Sequence, residues 1–169
     1  MITDGRAADH TCGRQRIARL MRGAALRARP RRLAKPVDTG DRALHMIAPN
    51  VLDREFTAAA PNQKWVADFT YIRTHEGWLF VAAVLDLFSR RIVGWAMQAK
   101  MTSQLVTDAL LIAVWRRGPS SSVLHHSDQG SRYSSEQFQR LLDNLNTTCS
   151  MSRSGNVWDN AVMENFFRR

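Results

Sequence analysis

A chain of 169 residues, 44% hydrophobic and 23% charged, has the length of one domain plus a short extension and the composition of a folded globular protein, which excludes a mini-protein, a fibrous chain and a disordered one. Its longest apolar run, Trp78–Leu85, falls far short of the roughly 20 residues that span a bilayer, and residues 1–30 contain no apolar block of a secretory signal. The 24 Lys and Arg outweigh the 15 Asp and Glu, and nearly all of the +9 excess lies in residues 1–36, an arm that attracts a polyanion through counterion release. Cys12 and Cys149 stand far apart in regions of different composition. That favours reduced thiols and a cytoplasmic protein.

The chain divides by composition into a basic arm (1–36), a linker (37–60) and a core (61–169), with Phe56 the first aromatic residue. Within the arm, Ile17, Leu20, Met21 and Ala24 recur at helical spacing among Arg16, Arg19 and Arg22, predicting a short basic helix between Arg14 and Arg29. Pro30, Pro36, Gly40 and Pro49 break any pattern after it, leaving room for a turn of helix around Leu52. Three runs rich in β-branched and aromatic residues follow, Trp65–Arg73, Trp78–Leu87 and Arg91–Met97, with a turn signal at Glu76-Gly77. Gaps this short predict an antiparallel meander. Thr102–Trp115 then sets Leu105, Ala109, Ile112 and Ala113 on one helical face, and Gly118-Pro119 stops it. Val123–Ser127 reads as a short strand, and Ser134 with Gln137 as a capping box opening a helix with Phe138, Leu141, Leu142 and Leu145 inward. Thr147–Met151 reads as a fifth strand, and a last helix begins near Asp159 after a Gly155-Asn156 turn. The order is that of a layered α/β domain.

Three acids carry the chemistry. Asp68 interrupts an apolar strand, where a lone carboxylate needs a cation; a salt bridge to a core Arg is the bland alternative. Asp128 follows directly on the fourth strand and could merely stabilise a turn before Gly130, and Glu164 on the last helix could be solvated. In a layered α/β domain, a central strand, the end of a fourth strand and a covering helix can converge at one sheet edge. Three carboxylates there repel one another unless divalent cations are bound, and hard oxygen donors select Mg²⁺ or Mn²⁺ over zinc. Two such ions clamp an in-line phosphoryl displacement, the chemistry of nucleases and strand transfer.

The segments WVADFTYIR, LDLFSRRIVGW, HHSDQGSRYSS and SMSRSGNVWDNAVMENFF resemble the integrase catalytic core of bacterial insertion-sequence transposases, the DDE class, over about residues 61–169. The 35 residues between Asp128 and Glu164 match the spacing typical of that subgroup. The resemblance implies a ribonuclease-H-like α/β fold, a five-stranded mixed sheet with its first three strands antiparallel and flanking helices. It further implies Asp68, Asp128 and Glu164 as the catalytic, metal-binding triad, two Mg²⁺ or Mn²⁺ ions, and DNA cleavage followed by transesterification with a 3′-hydroxyl. The partners implied are transposon-end and target DNA and further copies of the chain in a homo-multimer. Gly13–Arg32 is similar to the end of the family's helix-turn-helix region, which makes Arg14, Arg16, Arg19, Arg22, Arg29, Arg31 and Arg32 candidate phosphate contacts. Family members extend further at both ends, so the chain reads as truncated there, with few residues after Glu164 to anchor the last helix.

Arg132, Asn156 and Asn160 are further candidates for DNA contacts, each equally able to cap or turn the chain. Asp86 is expected to serve structure, with Ser89, Arg90 or the sheet edge as partner. Adjacent His125 and His126 point to opposite faces of a strand, so at most one faces the site. Met97, Met101, Met151 and Met163 read as core fillers. Two other readings stay open: a DNA-binding remnant without catalysis, and a ribonuclease-H-like nuclease, which the long spacing from Asp128 to a helical Glu disfavours. A tyrosine recombinase has only Tyr71 and Tyr133 to use, neither in an Arg-His-Arg setting.

Overall fold

The computed structural model describes residues 13–24, 47–118 and 122–167. The chain divides into two compact units, Met1–Val37 and Asp38–Arg169. In the first, α1 spans Arg14–Gly23, with Arg22 in its last turn, where a cation complements the helix dipole. Arg29, Arg31, Arg32 and Cys12 lie outside the described residues, as does the side chain of Arg14.

The second unit is built on one open five-stranded sheet of order β3-β2-β1-β4-β5. Its strands are β1 (Lys64–Thr74), β2 (Gly77–Asp86), β3 (Arg91–Gln98), β4 (Leu124–Ser127) and β5 (Thr148–Met151). The meander β1-β2-β3 is antiparallel, and β4 and β5 join it parallel to β1. The helices are α2 (Ser103–Arg117), α3 (Glu136–Asn144) and α4 (Ala161–Phe167), the last preceded by a 3₁₀ turn over Val157–Asn160. Among the described residues no helix is long and apolar enough to cross a membrane.

Strand periodicity sorts β1 onto two cores. Trp65, Ala67 and Phe69 join the larger core with residues of α2 and α3, including Leu105, Leu110, Phe138 and Leu142. Val66, on the other face, joins a smaller core with Leu52, Leu85, Leu87 and Met163 of α4. Helix α2 lies close on β3 because Gly94 has no side chain: a Cβ there would stand 2.1 Å from the Ala109 carbonyl oxygen. Gly118, at φ +77, ends α2 as expected.

Several boundaries differ from expectation. The hairpin register pairs Thr74 with Gly77, so His75-Glu76 forms the turn and Gly77 opens β2. The N-cap of α3 is Ser135, whose hydroxyl accepts the Phe138 N–H, rather than Ser134. Residues 52–54 form a turn and no helix; Asp53 and Arg54 have positive φ, and Leu52 is buried beneath α4. Met151 and Met163 fill the core, whereas Met97, on the edge strand β3, is 50% exposed. Asp86 serves structure: its carboxylate accepts the Asn62 N–H at 3.0 Å and both the N–H and hydroxyl of Ser89.

Candidate active site

Asp68 sits mid-strand on β1, on the α4 face with Val66, opposite Ala83 of β2. Parallel pairing of β4 with β1 brings Asp128, the residue after β4, to the same end of the sheet. Helix α4 crosses this end, seated by fully buried Met163, and the next residue is Glu164. The three carboxylates line one cleft of about 270 Å³. They are close enough to act on one another. Burial first, then the charge of Asp128 and, more weakly, that of Glu164 raise the Asp68 carboxyl to about 7, against the pull of the Phe69 N–H.

Each carboxylate also has local duties. Asp68 Oδ1 accepts the Phe69 N–H at 2.7 Å, and Asp128 Oδ1 accepts the Gly130 N–H at 3.0 Å. Gly130 permits this approach, since a Cβ there would stand 2.9 Å from that oxygen. Held this way, no three His, Cys, Asp or Glu side chains among the described residues form a ready metal cage. The donor set still fits a hard divalent cation: oxygen donors only, on carboxylates that burial and, after it, mutual repulsion make costly to leave charged without one.

The other candidates separate. Asn156 lines the cleft and caps the 3₁₀ turn, its Oδ1 accepting the Trp158 N–H. Asn160 also lines the cleft; its side-chain N–H donates to the Ala67 carbonyl, and its buried Oδ1 has no partner among the described residues. Arg132 does not line the cleft. Its guanidinium donates to the Met101 carbonyl and to the Ser131 hydroxyl, which pins the loop before α3 to the start of α2. Arg16, Arg19 and Arg22 lie exposed along α1.

The histidines face opposite ways. His125 packs against Tyr133 and Phe138 with neither ring nitrogen partnered among the described residues, and burial lowers it to about 3. His126 bonds the hydroxyls of Ser150 and Ser152, on the side of α4, and burial lowers it to about 4. Both are neutral at pH 7.

Two residues that the sequence reading passed over matter here. Asp159 is wholly buried, and its carboxylate accepts from Asn50, Arg54 and both the backbone and side chain of Arg153. These donors hold it well below the usual carboxylate range, the Arg153 guanidinium foremost. Arg153 in turn lines the cleft with the three acids. Their only sequence signal is an acid and a base that flank a Gly-Asn turn.

The profile of the integrase core domain matches residues 58–157. Transposase InsF for insertion sequence IS3A of Escherichia coli (strain K12) is 44% identical over 151 residues, 89% of this chain and 52% of that protein. The insertion element IS600 uncharacterized 31 kDa protein of Shigella sonnei is 40% identical over 155 residues, 92% of this chain and 57% of that protein. The chain thus spans about half the length of the curated relatives it matches. In fold it is similar to the simian T-cell lymphotropic virus intasome, solved with a PP2A regulatory subunit (TM-score 0.60, 20% identity, 79% of this chain and 44% of that one). It is also similar to the HTLV-2 integrase catalytic core domain in complex with magnesium (TM-score 0.55, 20% identity, 66% of this chain and 68% of that one). The strand order, the open mixed sheet and a family match over more than half of its length agree: this chain belongs to the integrase core domain family, beside the insertion-sequence transposases.

Proposed function

We propose that this chain is the catalytic core of an insertion-sequence transposase, a metal-dependent polynucleotidyl transferase that cuts and joins DNA. The supporting observation is the meeting of Asp68, Asp128 and Glu164, from β1, the end of β4 and α4, in one cleft with charge repulsion between them. These carboxylates would hold Mg²⁺ or Mn²⁺, two ions in the active complex, which polarise the attacking and leaving oxygens of an in-line phosphoryl displacement. Asp68 and Asp128 are placed by strands, the rigid part of the fold, and Glu164 by a short helix that Met163 seats. Asn156 and Asn160 contribute amide groups at the cleft that suit the sugar-phosphate backbone.

The substrate in this reading is DNA at the element's ends and at the target, with Arg14, Arg16, Arg19, Arg22, Arg29, Arg31 and Arg32 of the arm adding sequence-independent affinity. Joining two ends calls for more than one copy of the chain. An exposed apolar strip supports self-association: Trp95 and Met97 on β3 with Leu111 and Trp115 on α2.

A duplex carrying terminal inverted repeats, incubated with Mn²⁺, tests the reading. Asp68→Ala should lower metal-dependent nicking by about 10³-fold, the worth of several kcal/mol of charge stabilisation, with salt-sensitive binding within twofold of wild type. Equal nicking by the two proteins rejects catalysis and leaves the DNA-binding remnant as the better description.

A further inference from the structure

A cleft lined by three carboxylates repels the phosphates it is proposed to act on, so it needs fixed positive charge beside it. Among the described residues lining it, Arg153 is the one basic side chain. Its guanidinium is not loose. Nε and Nη2 donate to the two oxygens of buried Asp159, both at 2.8 Å, and Nη2 also lies 3.2 Å from Asp53. Nη1, with two N–H donors, has no partner among the described residues, and the side chain is 51% exposed. Arg54 meets the same carboxylate, Nε donating to Asp159 Oδ1 at 2.8 Å, its side chain 46% exposed. Neither of its terminal nitrogens has a partner among the described residues.

We propose that Arg153 at the acid cleft and Arg54, joined to it through Asp159, form a phosphate clamp, their guanidinium groups aimed by the buried carboxylate of Asp159. Two guanidinium groups share one oxygen of one carboxylate, which brings them side by side, and Arg153 alone already satisfies Asp159 with a fork. Arg54 balances the exposed carboxylate of Asp53, so the pair offers a phosphodiester directed N–H donors at no net cost in charge. The remaining N–H groups suit a phosphodiester, whose oxygens accept planar donors. Asp159 is a positioning residue: it touches no substrate and sets where both arginines point. The cleft-lining turn at Arg153–Asn156, closed by the Asn156 N–H on the Arg153 carbonyl, keeps the clamp next to the acids.

The clamp rests on the DNA reading above but makes its own measurable demand, because binding is read without chemistry. A fluorescein-labelled DNA duplex is titrated in EDTA across a salt series with wild type, Arg153→Gln, Arg153→Lys and Arg54→Gln. Arg153→Gln should weaken binding about five- to tenfold and reduce the slope of log K against log salt by about one. Arg153→Lys should restore the slope while regaining only part of the affinity. Arg54→Gln leaves the Arg153–Asp159 fork intact, so it reports on charge without disturbing the loop, and should reduce the slope in the same direction. Wild-type slope and affinity in both Gln variants would overturn the clamp. Failure of the wild type to bind the duplex sinks the clamp and the DNA reading together. Reduced slopes alongside undiminished nicking by Asp68→Ala uphold the clamp and reject only the catalytic assignment.

Discussion

His125 shows how a single side chain can weigh on the whole domain. It is fully buried, its ring stacks edge-on with Phe138 at 5.4 Å between centroids, and its two nitrogens have no partner among the described residues. An unpaired buried polar group costs about 1–3 kcal/mol, and an apolar group of the same shape avoids that cost. There is a pH term as well. The folded protein holds His125 at about 3 against 6.5 for the free side chain, so below pH 6.5 the unfolded chain takes a proton that the folded one refuses. Stability is fully present above pH 6.5 and falls as pH drops toward 3. His126, lowered to about 4, acts in the same direction. Asp68 acts in the opposite one: raised to about 7, it favours the folded state at low pH and withdraws that support as pH rises from 3.8 through 7. His125→Phe should therefore raise the melting temperature at pH 8 modestly and by a growing margin toward pH 4, measured by thermal denaturation. A margin independent of pH would mean that His125 titrates normally in the fold.

At the scale of elements, the instructive case is α4. Seven residues are too few for a helix to hold itself in water, since nucleation is costly and each turn adds little. The anchor is Met163, fully buried among Leu52, Val66, Leu85 and Leu87. Leu52 comes from residues 47–60, which pack against the sheet: Ser150 Oγ accepts the Val51 and Leu52 N–H groups, and Asn50 reaches Asp159. Met163→Ala should cost about 2–5 kcal/mol by leaving a cavity under α4. Because Glu164 is the next residue, metal-dependent nicking should fall further than the loss of folded protein explains. Circular dichroism melts beside single-turnover assays check this, and a proportional fall in both would show that α4 is not what positions Glu164. The same packing logic applies where α2 meets β3. Gly94→Ala drives a Cβ into the Ala109 carbonyl, and overpacking of this kind costs about 1–3 kcal/mol or more.

Over the whole molecule, one side of the sheet unit stays apolar and exposed. Trp115 is 84% exposed, with Leu111, Trp95 and Met97 nearby, and Asp108 and Arg116 lie at the ends of the strip. Ile112 falls midway between those two charges on α2. Trp115→Glu should shift sedimentation toward the monomer while the melting temperature stays near that of wild type, because the side chain makes little of the core. An unchanged sedimentation profile would remove this strip from the account of assembly.

The linear sequence was enough to determine the element order and the meander and to single out three acids as the proposed site, because strand and helix periodicity, turn residues and a carboxylate inside an apolar run are local signals. Asp86 and the opposed histidines were legible for the same reason. What the chain in one dimension does not carry is which distant groups meet. Parallel pairing of β4 with β1 sets Asp128 beside Asp68, and a buried methionine sets Glu164 over both. Arg54 and Arg153 are 99 residues apart and look like ordinary surface charges until folding puts one buried carboxylate between them. Met97 teaches the converse: hydrophobicity suggests a core filler, and a place on an edge strand leaves it half exposed. Local propensity acts through neighbours along the chain, whereas burial and charge pairing depend on separations in space, which only the tertiary fold establishes.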